Sequence, residues 1–349
     1  MDEHSRFMKR CFQLARNGAG STYPNPLVGA VIVHNGQIIG EGWHRKAGEA
    51  HAEVVAVESV RDKSLLPDST LYVNLEPCSH HGRTPACSTM IVRNRIPRVI
   101  IANIDPYPQV AGRGIKALER AGVEVITGIE APQGNEVNRF FFTFHRKKRP
   151  YVILKWAQTA DGFMAPTDGK RTDISHLYAR LQVHRLRSTV QAILTGRGTL
   201  EADNPRLDAR YWNGRDPLPV ILGGENIKFE GRLFRRRQPV IVFGKRKETP
   251  PENVQLLPPA GVRDVLTKLY ELEIQSLLVE GGADVLRRFI RAGLWDEAHI
   301  YTSPLRFGSG LKAPVLLEGR WLKTDFAGHT KRDIFVHPQN QCIHDGRYL

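Results

Sequence analysis

The chain has 349 residues, 41% of them hydrophobic, and a formal net charge of +14; its length favours two domains of ordinary size. No apolar run approaches the roughly 18 residues that span a bilayer, and residues 1–6 lack the basic-then-apolar order of a secretory leader, so the expected location is cytoplasmic, with no membrane partner. Four cysteines are too few for a disulfide framework. The basic runs at 145–149, 235–237 and 245–247 lack the interleaved aromatics of a stacking surface, so no nucleic-acid partner is expected and the charge suits phosphorylated small molecules.

In chain order, residues 5–17 carry apolar positions at helical spacing (Phe7, Met8, Cys11, Phe12, Leu14, Ala15), with Ser5 suited to cap the helix. Residues 28–33 and 37–41 read as strands joined at His34-Asn35-Gly36, because Asn-Gly favours a hairpin turn. Residues 51–60 read as a helix, with His51 and Glu53 at its positive end. A β-type run at 71–75 leads into Glu76-Pro77-Cys78, and a second helix begins near 85–89. Strands at 99–102 and 123–127, with a helix between them, complete the first part. Gly112-Arg113-Gly114-Ile115-Lys116-Ala117 matches G-x-G-x-x-A but follows a loop instead of a strand. It therefore predicts a glycine turn opening an ordinary helix.

His51, Cys78 and Cys87 supply one imidazole and two thiolates. These fill three corners of a tetrahedral zinc site and leave the fourth for water, whose pKa zinc lowers to about 7. Glu53, two residues after the His, is left to carry protons, as in the H-x-E…P-C arrangement of the zinc deaminases. The eight residues between Cys78 and Cys87 form a polar loop that can return Cys87 to the metal and present His80, His81 and Arg83 to a ligand. The alternative is a closed structural site with a second His from that loop, which leaves Glu53 without a task.

The basic stretch 145–149, ended by Pro150, reads as a junction, giving expected domains over 1–147 and 148–349. Strands are expected at 151–155, 192–195, 219–222, 240–243 and 276–279, a turn at Asp161-Gly162, and helices at 175–187 and 283–292. The order of strand, Glu280-Gly281-Gly282 and helix suits a phosphate held by backbone N–H groups, or a tight turn with no ligand.

Several segments together resemble one family. They are 23–29 (Tyr-Pro-Asn-Pro-Leu-Val-Gly), Gly42-Trp43-His44, 47–53 (Ala-Gly-Glu-Ala-His-Ala-Glu) and, most specific, 76–87 with its long Cys–Cys loop. In the second part they are Arg149-Pro150-Tyr151, Lys155-Trp156-Ala157, 183–187 (Val-His-Arg-Leu-Arg), Gly198-Thr199, Asp203-Asn204-Pro205 and 279–282 (Val-Glu-Gly-Gly). Over nearly its whole length the chain is similar to the bifunctional deaminase–reductases of riboflavin biosynthesis, the RibD or RibG family. The resemblance implies a cytidine-deaminase-like α/β/α sandwich followed by an α/β domain like dihydrofolate reductase. It implies zinc-dependent deamination of 2,5-diamino-6-(5-phosphoribosylamino)pyrimidin-4-one, then NADPH-dependent reduction of the ribosyl group to ribityl.

Carried over by position, His51, Cys78 and Cys87 hold zinc, Glu53 shuttles protons, and Asn25, His44, His80 and Arg83 contact the pyrimidine or its phosphate-bearing side chain. Ala157, Thr199, Asp203 and the stretch Gly282, Ala283, Asp284, Val285, Leu286, Arg287 and Arg288 lie near NADPH. Arg187, Leu207, Arg210 and Glu280 lie near the ribosyl phosphate. Asp203 is the expected proton-handling group of that half, and equally suits a cap before Pro205. The chain departs from the family where Arg171 and Asp173 replace a Ser and a Trp, and where Gly223-Gly224 follows the strand at Leu222. Arg171 can take over a phosphate contact, while Asp173, expected near the cofactor, lacks an indole's stacking surface. Two other readings fit parts of the pattern: a nucleic-acid deaminase with an accessory domain, and a non-catalytic zinc-binding regulator. A homo-oligomer is compatible with the sequence, which does not determine the state.

Overall fold

The apolar spacing at the N-terminus folds as helix α1 (Glu3–Arg16) in the computed structural model, which describes residues 3–79, 86–108, 110–168, 172–246, 249–340 and 342–343. β1 (Gly29–His34) and β2 (Gln37–Trp43) form the expected hairpin. Asn35 and Gly36 both take positive φ, 48° and 73°, as a tight turn matched to strand twist requires. α2 (Ala52–Ser59), β3 (Thr70–Leu75), α3 (Cys87–Arg93), β4 (Arg98–Asn103), α4 (Arg113–Arg120) and β5 (Glu124–Thr127) follow. Two further helices, α5 (Ala131–Val137) and α6 (Arg139–Lys147), are additional to the expected elements.

The sheet of this first unit runs β2-β1-β3-β4-β5, antiparallel around β1 and parallel from β3 to β5. Alternation along the strands sends Ala30, Ile32, Leu71, Val73, Val99 and Ile101 towards Ala56 of α2, Ile91 of α3 and Leu118 of α4. Val31, Val33, Tyr72, Ile100 and Ala102 pack instead with Phe7, Met8, Cys11 and Phe12 of α1. Both faces are covered, which makes an α/β/α sandwich.

The second unit contains β6 (Tyr151–Gln158), β7 (Phe163–Pro166), α7 (Leu177–Thr189), β8 (Ala192–Gly196), α8 (Arg197–Asp203), β9 (Leu218–Ile227), β10 (Val240–Arg246) and β11 (Val254–Leu257). α9 (Val262–Glu271), β12 (Ser276–Glu280), α10 (Ala283–Arg291), β13 (Glu297–Thr302), β14 (Gly310–Lys312), β15 (Arg320–Ala327) and β16 (Thr330–Val336) complete it. Nine strands form one sheet in the order β11-β10-β9-β8-β12-β6-β13-β16-β15, and β7 pairs with β14 separately. Neighbours are parallel from β11 to β13 and antiparallel at β16 and β15. The central strands are buried on both faces, hence the continuous apolar runs at 151–154 and 277–279. Arg149 forks onto Asp296 at 2.5 and 2.9 Å, and Asp296 also accepts the Val152 N–H.

Residues 1–147 and the end of the chain form one compact unit, and residues 148–340 the other. The second unit therefore stops short of the expected 349, because Cys342 packs with Leu75, Phe141 and Phe142 of the first. Among the described residues, no helix is long and apolar enough to cross a membrane.

Candidate functional site

In the first unit, β3 runs straight into Glu76-Pro77-Cys78, so Cys78 sits at the C-terminal end of a central strand. His51 occupies the cap position before α2, and Cys87 is the first residue of α3. Two helix starts thus meet the strand end. His51 Nδ1 lies 3.2 Å from Cys87 Sγ and 3.6 Å from Cys78 Sγ. All three ligand atoms lie within 4.8 Å of one another. One imidazole and two thiols at this spacing fit zinc with a position left for water. Hydrogen bonding from Cys87, opposed by burial and helped by His51, holds Cys78 down at about 4, which provides the thiolate a metal needs.

Glu53 is 3% exposed and lies against the Cys87 thiol. Burial raises its pKa, and the neighbouring His51 opposes the rise. The His44 ring stands 5.6 Å from that of His51. Its Nδ1 is 3.0 Å from the Ala50 carbonyl and its Nε2 is 3.0 Å from Asn25 Nδ2. The carbonyl can only accept, so Nδ1 carries the proton and Nε2 accepts from Asn25. Burial first, and His51 after it, keep His44 low and neutral. Asn25 is thereby oriented by His44, whose ring neighbours that of His51. His80 and Arg83 lie outside the described residues.

Glu76 is a site residue that the motif alone did not reveal. Its buried carboxylate accepts four backbone N–H groups: Gly112 and Gly114 at 2.9 Å, Asp105 and Ile115 at 3.3 Å. The glycine motif at 112–117 is therefore a helix start wrapped around this carboxylate. A Cβ on Gly114 would lie 1.9 Å from the Pro77 carbonyl oxygen, so only glycine lets α4 approach the ligand loop. Asp105 is close by, and burial, aided by Glu76 and Cys78, pushes it up to about 6. Glu76→Gln is expected to turn an amide NH2 against backbone donors and to weaken zinc retention about 10- to 100-fold, the range for residues that orient metal ligands. Chelator competition measures it, and wild-type retention would show that Glu76 does not hold the loop.

In the second unit, strand register places Lys155 of β6 beside Glu280 of β12. Arg187 of α7 forks onto Glu280 at 2.8 and 2.7 Å and donates to the Asp208 carbonyl at 3.0 Å. Lys155 Nζ is 3.6 Å from Glu280. Burial alone would raise Glu280, but Arg187 and Lys155 outweigh it and hold the carboxyl at about 2. Burial lowers Lys155, against the pull of Glu280. Lys155 was not marked by its motif, and a Lys inside a buried apolar strand is the signal that could have found it.

Arg210 pairs with Asp208 and lies over Tyr211. Leu207 is buried at φ 53°. Asp203 ends α8, exposed, and takes no part in the Lys155–Arg187–Glu280 cluster. Asp173 is exposed and paired with Arg180, and Arg171 lies outside the described residues.

The glycine turn before α10 offers a cradle. Gly281 and Gly282 take φ of 105° and 61°. A Cβ on Gly281 would come within 2.8 Å of Thr195 Oγ1 and 3.1 Å of Thr199 Cγ2. Thr195 Oγ1 is buried and has no hydrogen-bond partner among the described residues. Open glycine backbone, a helix start and a spare hydroxyl fit the phosphates of a dinucleotide. Of the expected stretch, Ala283, Val285 and Leu286 are buried, and Val285 and Leu286 join the main core cluster. Asp284 pairs with Arg288, and Arg287 donates to the Lys312 carbonyl. Ala157 lies on β6, packed against Ala179, Val183 and Tyr301.

Residues 1–103 match the zinc-binding region of cytidine and deoxycytidylate deaminases, and residues 150–333 match the RibD C-terminal domain. The riboflavin biosynthesis protein RibD of Bacillus amyloliquefaciens is 40% identical over 338 residues, 91% of this chain and 88% of the relative. That of Aquifex aeolicus is 38% identical over 315 residues, 87% and 88% of the two chains. The crystal structure of a diaminohydroxyphosphoribosylaminopyrimidine deaminase/5-amino-6-(5-phosphoribosylamino)uracil reductase from Thermotoga maritima superposes with a TM-score of 0.89 at 37% identity, covering 96% of this chain and 99% of that one. The chain belongs to the RibD family, the bifunctional deaminase–reductases of riboflavin biosynthesis.

Proposed function

We propose that the first unit hydrolyses the 2-amino group of 2,5-diamino-6-(5-phosphoribosylamino)pyrimidin-4-one and that the second reduces the ribosyl group of the product with NADPH. The observation that carries the first half is the convergence of His51, Cys78 and Cys87 within 4.8 Å, with the buried Glu53 carboxyl against Cys87. Bound zinc supplies a Lewis acid that lowers the pKa of a water to about 7. Glu53 takes one proton from the water and delivers it to the ring nitrogen as the C–O bond forms, then takes the proton of the new hydroxyl and delivers it to the amino group as the C–N bond breaks, leaving the carbonyl and ammonia. Asn25, held by His44, offers donor and acceptor to the edge of the heterocycle. His80 and Arg83 carry the same expectation by motif.

In the second unit Arg187 spends three of its N–H groups on Glu280 and Asp208. Two of a guanidinium's five remain for a phosphate, and Arg210 adds a second fork. Lys155 stands 3.6 Å from Glu280 with its pKa lowered chiefly by burial, which suits proton transfer to the ribosyl oxygen as the ring opens. That geometry favours Lys155 over the exposed Asp203 as the proton-handling group. Thr199 and the Gly281-Gly282 turn would hold NADPH, which would supply the hydride that reduces the ribosyl C1′ once the ring has opened.

The test is sequential: ammonia release from the diaminopyrimidine ribosyl phosphate, then NADPH oxidation, on purified zinc-loaded protein. A thiol-compatible zinc chelator is expected to abolish the first and spare the second when deaminated substrate is supplied. Zinc-loaded protein that releases no ammonia would overturn the reading.

A further inference from the structure

α7 turns two residues towards one cluster, Arg187 and, one helical turn earlier, His184. His184 is 4% exposed, and its ring stands edge-on to Tyr211 at 4.7 Å. Its Nδ1 is covered and has no hydrogen-bond partner among the described residues. Packing does not explain an imidazole here, because an apolar ring would fill the space without leaving a nitrogen unpaired.

The ring stands against Tyr211, and its charged neighbours are Arg187 on its own helix, Asp208 and Arg210 on the segment after α8, and Glu280 at the end of β12. Behind them Lys155 pairs with Glu280 and Arg236 with Asp208. Both carboxylates are thus already engaged by cations. Burial first, then Arg187 and Arg210, hold the imidazole neutral, down at about 4. Among the described residues, four cations (Lys155, Arg187, Arg210 and Arg236) share three carboxylates (Glu280, Asp208 and Asp216), which leaves donors for an entering anion.

We propose that His184 is a substrate-binding residue of the reductase unit, donating a ring N–H to the phosphate between Arg187 and Arg210 and taking up a proton from solvent as that dianion enters. The proposal rests on reading those two arginines as the phosphate ligands. A dianion beside them cancels the positive potential that keeps the ring neutral, so phosphate binding and protonation are linked.

Titration calorimetry of ribose 5-phosphate into the full chain at pH 7, in two buffers of different ionisation enthalpy, reads affinity and proton uptake together. Wild type is expected to take up a fraction of a proton per phosphate bound. His184→Phe, which keeps a ring against Tyr211 but has no donor, is expected to lose that uptake and about ten-fold in affinity, as for one hydrogen bond to a charged group, with its unfolding transition reporting that the chain is folded. His184→Gln keeps a donor without a titrating ring and is expected to bind better than His184→Phe while still lacking uptake. Unchanged affinity and uptake in both variants would overturn the role of His184 while leaving the arginine site standing, provided Arg210→Ala weakens binding. Wild type that fails to bind, or binding indifferent to Arg210→Ala, would remove the phosphate-site reading and the proposal with it.

Discussion

Glu53→Gln is expected to lower ammonia release about 100- to 10,000-fold, the range a positioned general acid/base contributes, while leaving zinc bound and NADPH oxidation of deaminated substrate unchanged. The residue is 3% exposed, one helical position inside α2, with the ligand His51 at the cap before it. An amide of the same size preserves packing but cannot take a proton from water. Zinc content by elemental analysis separates this outcome from loss of the site, because Glu53 is not among the three clustered ligands. Ammonia release within a few-fold of wild type would remove Glu53 from the chemistry. Lost zinc would show instead that the carboxyl shapes the site.

Glu280→Gln is expected to destabilise the second unit by about 3–5 kcal/mol at pH 7, because it leaves the buried Arg187 and Lys155 without their shared anion. The same pairing predicts a pH dependence. The folded pKa of Glu280, about 2, lies below the ordinary 4.5. The carboxylate therefore contributes stability that is fully present above about pH 4.5 and is lost as the pH falls towards 2, on the order of 3 kcal/mol in all. Urea unfolding followed by tryptophan fluorescence suits the test, since four of the five tryptophans, Trp156, Trp212, Trp295 and Trp321, lie in the second unit and only Trp43 in the first. The gap between wild type and Glu280→Gln should narrow from pH 5 to pH 3. Parallel curves over that range would mean that the carboxylate's charge is not what holds Arg187.

The candidate zinc ligands and most central strands were legible in the chain for physical reasons. Coordination needs particular atoms, and only His, Cys and carboxylates supply them, so His51, Cys78 and Cys87 stand out wherever the fold puts them. Strands buried on both faces are largely apolar, as at 277–279. The outer strands β15 and β16 mix Arg, Lys, Asp and Thr with apolar residues and carry no such signature. α6 begins with a run of aromatics, Phe140 to Phe142, whose burial depends on what packs against it.

By itself, then, the sequence determined the chemistry that a site could perform: a nitrogen and two sulfurs for a metal, a carboxyl two residues from one of them, and arginines in excess for a phosphate. Tertiary structure alone decided which polar groups share an environment. Glu76 became the anchor of the Cys78 loop because α4, from 36 residues on, brings its N–H groups to that carboxylate. Lys155, His184, Arg187 and Glu280 became one electrostatic unit because β6, α7 and β12 meet there. Coupling of that kind depends on distance and burial, and spacing along a chain carries neither.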